Sequence, residues 1–277
     1  MMIAGRPLQV VRRLPRTTPP FPDEVVLSYL SRLGQINSFP DGLLMSLWIT
    51  ENDRQTALIS TLSGYRIPVL QCALPELRLK SPQMMGPSWY THAPCYRCAA
   101  RRAPGQSVNA WHRRRVRLCP IHWVWMGNSR YPLLTGRRPD IHAAYRRHRR
   151  LEARFGRQAT ETAFTAASNI VTKWAEMNVL VLPSSEDLPA APATGTASPR
   201  EKWATRASAH QYPATVALTA LLADPAWTEQ ALAARTWDQL RPTFAHLVSV
   251  SYNPEGMSDP LHRWRRDARD QQYFSVP

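Results

Sequence analysis

Lysine is almost missing from this chain. Of 35 basic residues in 277, only Lys80, Lys173 and Lys202 are lysine, so arginine carries the positive charge. Acidic residues number 20, which leaves a formal net charge of +15. Glycine is sparse at 11 residues. There is no Gly-rich phosphate loop, no Gly-x-Ser-x-Gly, no His-Glu-x-x-His and no deaminase-type His-x-Glu with Pro-Cys-x-x-Cys. Carboxylates are also too scattered around the basic region to hold catalytic Mg²⁺. These absences argue against an enzyme. No apolar run approaches the roughly 18 residues of a membrane span. The opening MMIAGRPLQVVRRLPRTTPP lacks the apolar core of a secretory signal. A cytoplasmic, nucleoid-associated protein is expected. Cysteine is limited to Cys72, Cys95, Cys98 and Cys119, and a reducing compartment disfavours structural disulfides.

What is present is unevenly placed. Residues 101–154 hold fourteen arginines against Asp140 and Glu152, a net +12; residues 1–100 carry +4, 155–199 carry −2 and 200–277 carry +1. A GC-rich genome accounts for arginine over lysine but not for this clustering. Concentrated positive charge attracts a polyanion and makes binding salt-sensitive. The guanidinium fork suits phosphates and guanine edges. DNA is the expected partner. A solvated face or an acidic protein partner is the alternative.

Patterning predicts a mainly α protein. Residues 1–22 read as an extended basic arm, because Pro19, Pro20 and Pro22 stop a helix. Region 23–90 reads as three or four short helices, a helix-turn-helix-like bundle or a plain helical scaffold. Its first apolar face is Val26, Leu27, Leu30 and Leu33. Region 91–130 holds a Cys3His finger. Region 131–182 holds a basic helix, Pro139–Phe155, then an amphipathic helix over 158–178. In the basic helix Ile141, Ala144, Tyr145, His148 and Leu151 can face inward. The Pro/Ala/Ser/Thr-rich stretch 183–200 reads as a linker. Region 201–277 is helical over 212–222 and 228–234 and ends in a polar tail of low order from Leu261.

The strongest motif is Cys95-Tyr-Arg-Cys98, twenty residues, then Cys119-Pro-Ile-His122. Two pairs of ligands at x2 spacing can each clamp one edge of a tetrahedron, the geometry of structural Zn²⁺. One zinc ion is expected, closed to water. A redox dithiol at Cys95/Cys98 would leave Cys119 and His122 unexplained. His92 and His112 fit the pairing less well, and Cys72 reads as a small buried hydrophobe. The zinc would hold Arg113, Arg114, Arg115 and Arg117 in the loop before Cys119. Arg146, Arg147, Arg149 and Arg150 would line the basic helix. All eight are candidate phosphate contacts.

The order of these pieces resembles the TniQ/TnsD family of transposon target-selection proteins. Pro19-Pro-Phe-Pro-Asp-Glu24 followed by Leu27-Ser-Tyr-Leu-Ser-Arg-Leu33 is similar to that family's opening. Leu58-Ile-Ser-Thr-Leu-Ser-Gly64, leading to Leu74-Pro-Glu-Leu77, is similar to its next segment. Cys95-x-x-Cys98, Trp111 and Cys119-Pro-x-His122 resemble its zinc finger. The basic segment Pro139–Phe155 and the stretch Tyr212-Pro213 to Trp227 resemble actinobacterial-style members. The likeness spans about residues 15–180 well and the rest loosely. It implies a non-catalytic adaptor linking target DNA, read directly or through an RNA-guided CRISPR effector, to an AAA+ ATPase transposition regulator (TnsC-like). Some relatives carry a second zinc finger, for which this chain lacks the cysteines. A zinc-dependent, sequence-specific transcription regulator is the alternative.

Overall fold

The computed structural model describes residues 12–50, 55–78, 89–113, 118–127, 131–180, 188–191, 197–248, 252 and 258–274. The chain is mainly helical and divides into two units, Met1–Arg117 and Leu118–Pro277. That division falls inside the stretch 91–130 expected to be one finger.

In the first unit, helices α1 (Val26–Ile36), α2 (Leu43–Thr50), α3 (Gln55–Ser63) and α4 (Ile67–Ala73) surround a core that includes Tyr29, Leu30, Leu33, Ile59, Leu70 and Leu74. On α1, Val26, Tyr29, Leu30 and Leu33 recur at i, i+3, i+4 and i+7, so one face is apolar, and Leu27, expected on it, is exposed with Tyr29 in its place. Its own N-cap, Val25, offers no side-chain acceptor. The cap comes from Glu76 instead, whose carboxylate accepts the Val26 N–H at 3.2 and 3.3 Å. Burial raises the Glu76 carboxyl pKa above its usual range.

Beneath α1 lies a buried ion pair. Arg32 is 1% and Glu24 0% exposed, and Arg32 Nε and Nη2 donate to the two Glu24 oxygens at 2.8 Å. The remaining Arg32 donors reach Thr18 Oγ1 (3.1 Å), Gln106 Oε1 (2.9 Å) and Pro19 O (3.0 Å). Glu24 also accepts from Phe21 N and Ser28 Oγ. All five guanidinium N–H groups are thus satisfied, as burial of a charge requires. The described part of the expected arm, residues 12–22, is extended but docked. Leu14 N donates to Leu62 O, and Arg16 and Asn37 exchange two bonds. Residues 1–11 lie outside the described residues. Cys72 is a correction: α4 turns Leu70 inward and leaves Cys72 exposed.

The first unit ends with β1 (Trp89–His92), α5 (Tyr96–Arg102) and β2 (Ala110–Arg113). The strands pair antiparallel with Thr91 opposite Trp111.

In the second unit, β3 (Leu118–Cys119), β4 (Val124–Trp125) and β5 (Leu133–Leu134) form a small antiparallel sheet. Helices α6 (Pro139–Phe155), α7 (Arg157–Glu176) and α8 (Pro199–Leu222) pack together, followed by α9 (Pro225–Ala233), α10 (Arg241–Phe244) and α11 (Pro260–Phe274). Gly156, at φ +79° and ψ 157°, breaks α6 from α7 in a conformation open only to glycine. The helix α7 is amphipathic as expected, burying Ala163, Phe164, Ala167, Ile170, Val171 and Trp174.

Two expectations change here. Helix α8 starts thirteen residues before the expected Tyr212, on a Ser198/Glu201 capping box with Pro199 in its first turn. The polar C-terminal tail is helical as α11, because Leu261 and Arg265 fall on one buried side and Trp264 packs beside them. Within the expected linker, Leu188 and Ala191 are buried and Ala191 N bonds Pro132 O.

Candidate metal centre

Cys95 immediately precedes α5 and Cys98 lies in its first turn, so the helix brings both thiols to one side. Cys119 ends β3. The Pro120–Trp123 turn reverses the chain into β4, with Cys119 opposite Val124. Trp123 N donates to Cys119 O at 2.9 Å, closing the turn under His122. The ligand atoms of Cys95, Cys98, Cys119 and His122 all lie within 4.8 Å of one another.

Cys119 Sγ and His122 Nδ1 are 3.8 Å apart. A tetrahedral ion with Zn–S near 2.3 Å and Zn–N near 2.0–2.1 Å sets an S···N edge of about 3.6 Å. The donor set and the spacing therefore fit one metal ion. Cys95 and Cys119 are buried, Cys98 and His122 half-buried. Four protein donors would leave no position for water, so an ion here would crosslink chain segments rather than activate a substrate.

The Cys119–His122 turn is anchored by a residue that the sequence reading did not single out. Trp123 sits at φ +51°, uncommon for a bulky side chain. Its carbonyl accepts from Thr135 N (3.0 Å) and Thr135 Oγ1 (2.6 Å), and Thr135 is fully buried. Its indole stacks on His142 of α6 at 3.8 Å and meets Tyr145 edge-on at 6.3 Å. Burial lowers the His142 pKa and raises that of Tyr145. The half of the site carrying Cys119 and His122 is thus fastened to the basic helix. An aromatic directly after the last ligand was the available signal.

His92 and His112 stand outside the ligand group. Their rings stack at 3.7 Å and 3°. Burial, with His92 beside it, pushes His112 down to about 3, so it is neutral.

The basic candidates divide. Arg146, Arg147, Arg149 and Arg150 are exposed on α6, whose other side buries Ile141, Ala144, His148 and Leu151. Arg149 pairs with Glu152. Arg113 ends β2, and only its backbone is described; Arg114, Arg115 and Arg117 lie outside the described residues. Arg138, also unforeseen, starts α6 buried. It donates to both Asp140 oxygens (2.9 and 2.5 Å) and approaches His210 Nδ1 at 2.8 Å. The hydrogen bonds from Arg138 hold the Asp140 carboxyl below the usual range.

No family model, curated protein or solved structure matches the chain. Among the described residues, no helix is long and apolar enough to cross a membrane.

Proposed function

We propose that the chain is a non-catalytic targeting adaptor of DNA transposition. In this reading it holds one structural Zn²⁺ on Cys95, Cys98, Cys119 and His122 and binds DNA through its arginines. It presents the target to an AAA+ ATPase regulator of the TnsC type, with a target reached directly or through an RNA-guided CRISPR effector. The observation that carries the DNA part is the exposed arginine row of α6, fastened through Trp123 to the turn that bears two of the four metal ligands. A crosslink of that kind lowers the entropy cost of presenting a charged surface. The helices α1–α4 are the helix-turn-helix-like element of this reading. Its transposition part rests on the order of the sequence motifs, the first of which supplies Glu24 and Arg32.

Co-precipitation with an AAA+ transposition regulator, with and without DNA, tests the proposal. The expected result is a complex that DNA strengthens. Loss of both interactions would overturn it. Tight binding to one operator sequence with no ATPase requirement would instead support a transcription regulator.

A further inference from the structure

We infer that the first turns of α8 form a separate contact for unpaired DNA: Trp203 stacks on a nucleobase while Arg200, Lys202 and Arg206 take the neighbouring phosphates. This rests on the DNA-binding reading above and adds the state of the strand to it.

Trp203 is 70% exposed. A single exposed apolar side chain is ordinary, but its setting is not. Arg200 and Arg206 lie three residues before and after it, along the same side of the helix. Lys202 Nζ and the Arg206 guanidinium both sit over the Tyr131 ring, at 5.6 and 5.7 Å, and Arg206 Nη2 donates to Tyr131 Oη at 3.1 Å. Arg206 Nε is buried with no acceptor among the described residues. The one acid of this turn, Glu201, accepts the Ser198 N–H on its carboxylate at 2.7 Å. Lys202 and Arg206 are therefore gathered at Tyr131, with Arg200 one turn before Trp203, and none of the three forms an ion pair among the described residues. Like charges held together are complemented by a polyanion.

The platform is firm, so the indole is not exposed by fraying. The capping box fixes the helix start. Trp125 Nε1 donates to Ser208 Oγ at 3.1 Å, and Thr205 packs directly over Gly127. An exposed indole on an anchored helix, with basic residues along the same turns, is what sequence-tolerant single-strand binding uses, stacking for the base and charge for the backbone. In a duplex the base faces are already stacked and closed to it. The neighbours of Trp203 three residues away on the helix are Arg200 and Arg206, which favours an anionic ligand over an apolar protein surface.

The test uses the full, metal-loaded chain and fluorescence anisotropy with a labelled mixed-sequence oligonucleotide, as single strand and as duplex. Trp203→Ala should weaken single-strand binding roughly tenfold and leave duplex binding unchanged, with Trp203→Phe retaining most of the affinity. Lys202→Gln with Arg206→Gln should flatten the single-strand salt slope by about one to two. The unfolding midpoint of Trp203→Ala should match wild type, since Trp203 is 70% exposed. Three results would overturn the inference: no single-strand binding by wild type, an equal loss on single strand and duplex, or a loss confined to phosphatidylserine vesicles. The arginines of α6, tested on duplex alone, decide the broader DNA reading separately.

Discussion

On α1, Arg32 is 1% exposed and places all five of its N–H groups on protein acceptors. On α6, Arg146, Arg147 and Arg150 lie exposed and form no ion pair among the described residues. The same side chain thus does two jobs, and the neighbours decide which. Arg32 is a lone charge in an apolar helix, eight residues after the glutamate it pairs with. The α6 arginines stand in pairs beside one another, where mutual repulsion and hydration favour the surface. An isolated arginine within an apolar face marks a folding element, and a cluster marks a binding surface.

The largest break in that comparison comes from the metal. Metal analysis should give one Zn²⁺ per chain, and stripping it with a chelator should unfold the 95–122 segment. Zinc contributes about 10 kcal/mol or more in small modules. The core of α1–α4 contains none of the four ligands, so its helicity should persist while α6 loses its Trp123 anchor. Hydrogen exchange would resolve the two. A stable, metal-free wild type with unchanged protection at Cys119–Trp123 would refute the site.

Next in size is Arg32→Ala, or Glu24→Gln, either of which leaves a buried group without its partner and should cost about 3–5 kcal/mol in denaturant titration. Arg32→Lys should rescue little, because an ammonium cannot replace a five-donor fork. Arg147→Ala, on the exposed helix, should fall within about 0.5 kcal/mol of wild type. Equal costs at 32 and 147 would erase the distinction between the two uses of arginine.

A smaller loss is expected at Gly127, where φ is +59° and an added Cβ would lie 2.6 Å from Thr205 Cγ2 and 2.9 Å from its Oγ1. Gly127→Ala should cost about 2 kcal/mol, from backbone strain and the displaced Thr205. Thr205→Ala in the same chain should restore part of it. No change in thermal melting would mean that α8 does not press on the β4 end as closely as these distances require.

The sequence made some of this legible and hid the rest for physical reasons. Paired x2 spacing marked all four members of the candidate metal group, because a helix turn and a tight hairpin each bring such residues together. The apolar spacing of α7 marked its buried stripe. Helix α8 was hidden because apolar and polar residues alternate around it without a face, and Pro213 read as a break. Its capping box, Ser198-Pro-Arg-Glu201, was the signal that could have placed its start. The α11 helix was hidden because one of its buried positions is an arginine, Arg265, lying 5.0 Å over the Trp237 ring. Long-range partners such as Arg32 with Gln106, or Val26 with Glu76, leave no trace in local pattern.

The smallest effect on stability should come with a large effect on binding. Changing Arg146, Arg147, Arg149 and Arg150 together to Gln removes four exposed charges. One of them, Arg149, gives up only a surface pair with Glu152, a kind of contact that contributes little. The buried stripe of Ile141, Ala144, His148 and Leu151 is untouched, so the unfolding midpoint should barely move. Each phosphate contact contributes about 0.9 to the slope of log affinity against log salt on duplex DNA. Losing four should therefore flatten that slope by about 3–4, and losing three, if Arg149 stays with Glu152 in the complex, by about 3. A loss of affinity that is the same at every salt concentration would indicate a disturbed fold instead of lost phosphates. An unchanged slope would assign the row to an acidic protein surface, and the exposed arginines would then mark a partner other than DNA.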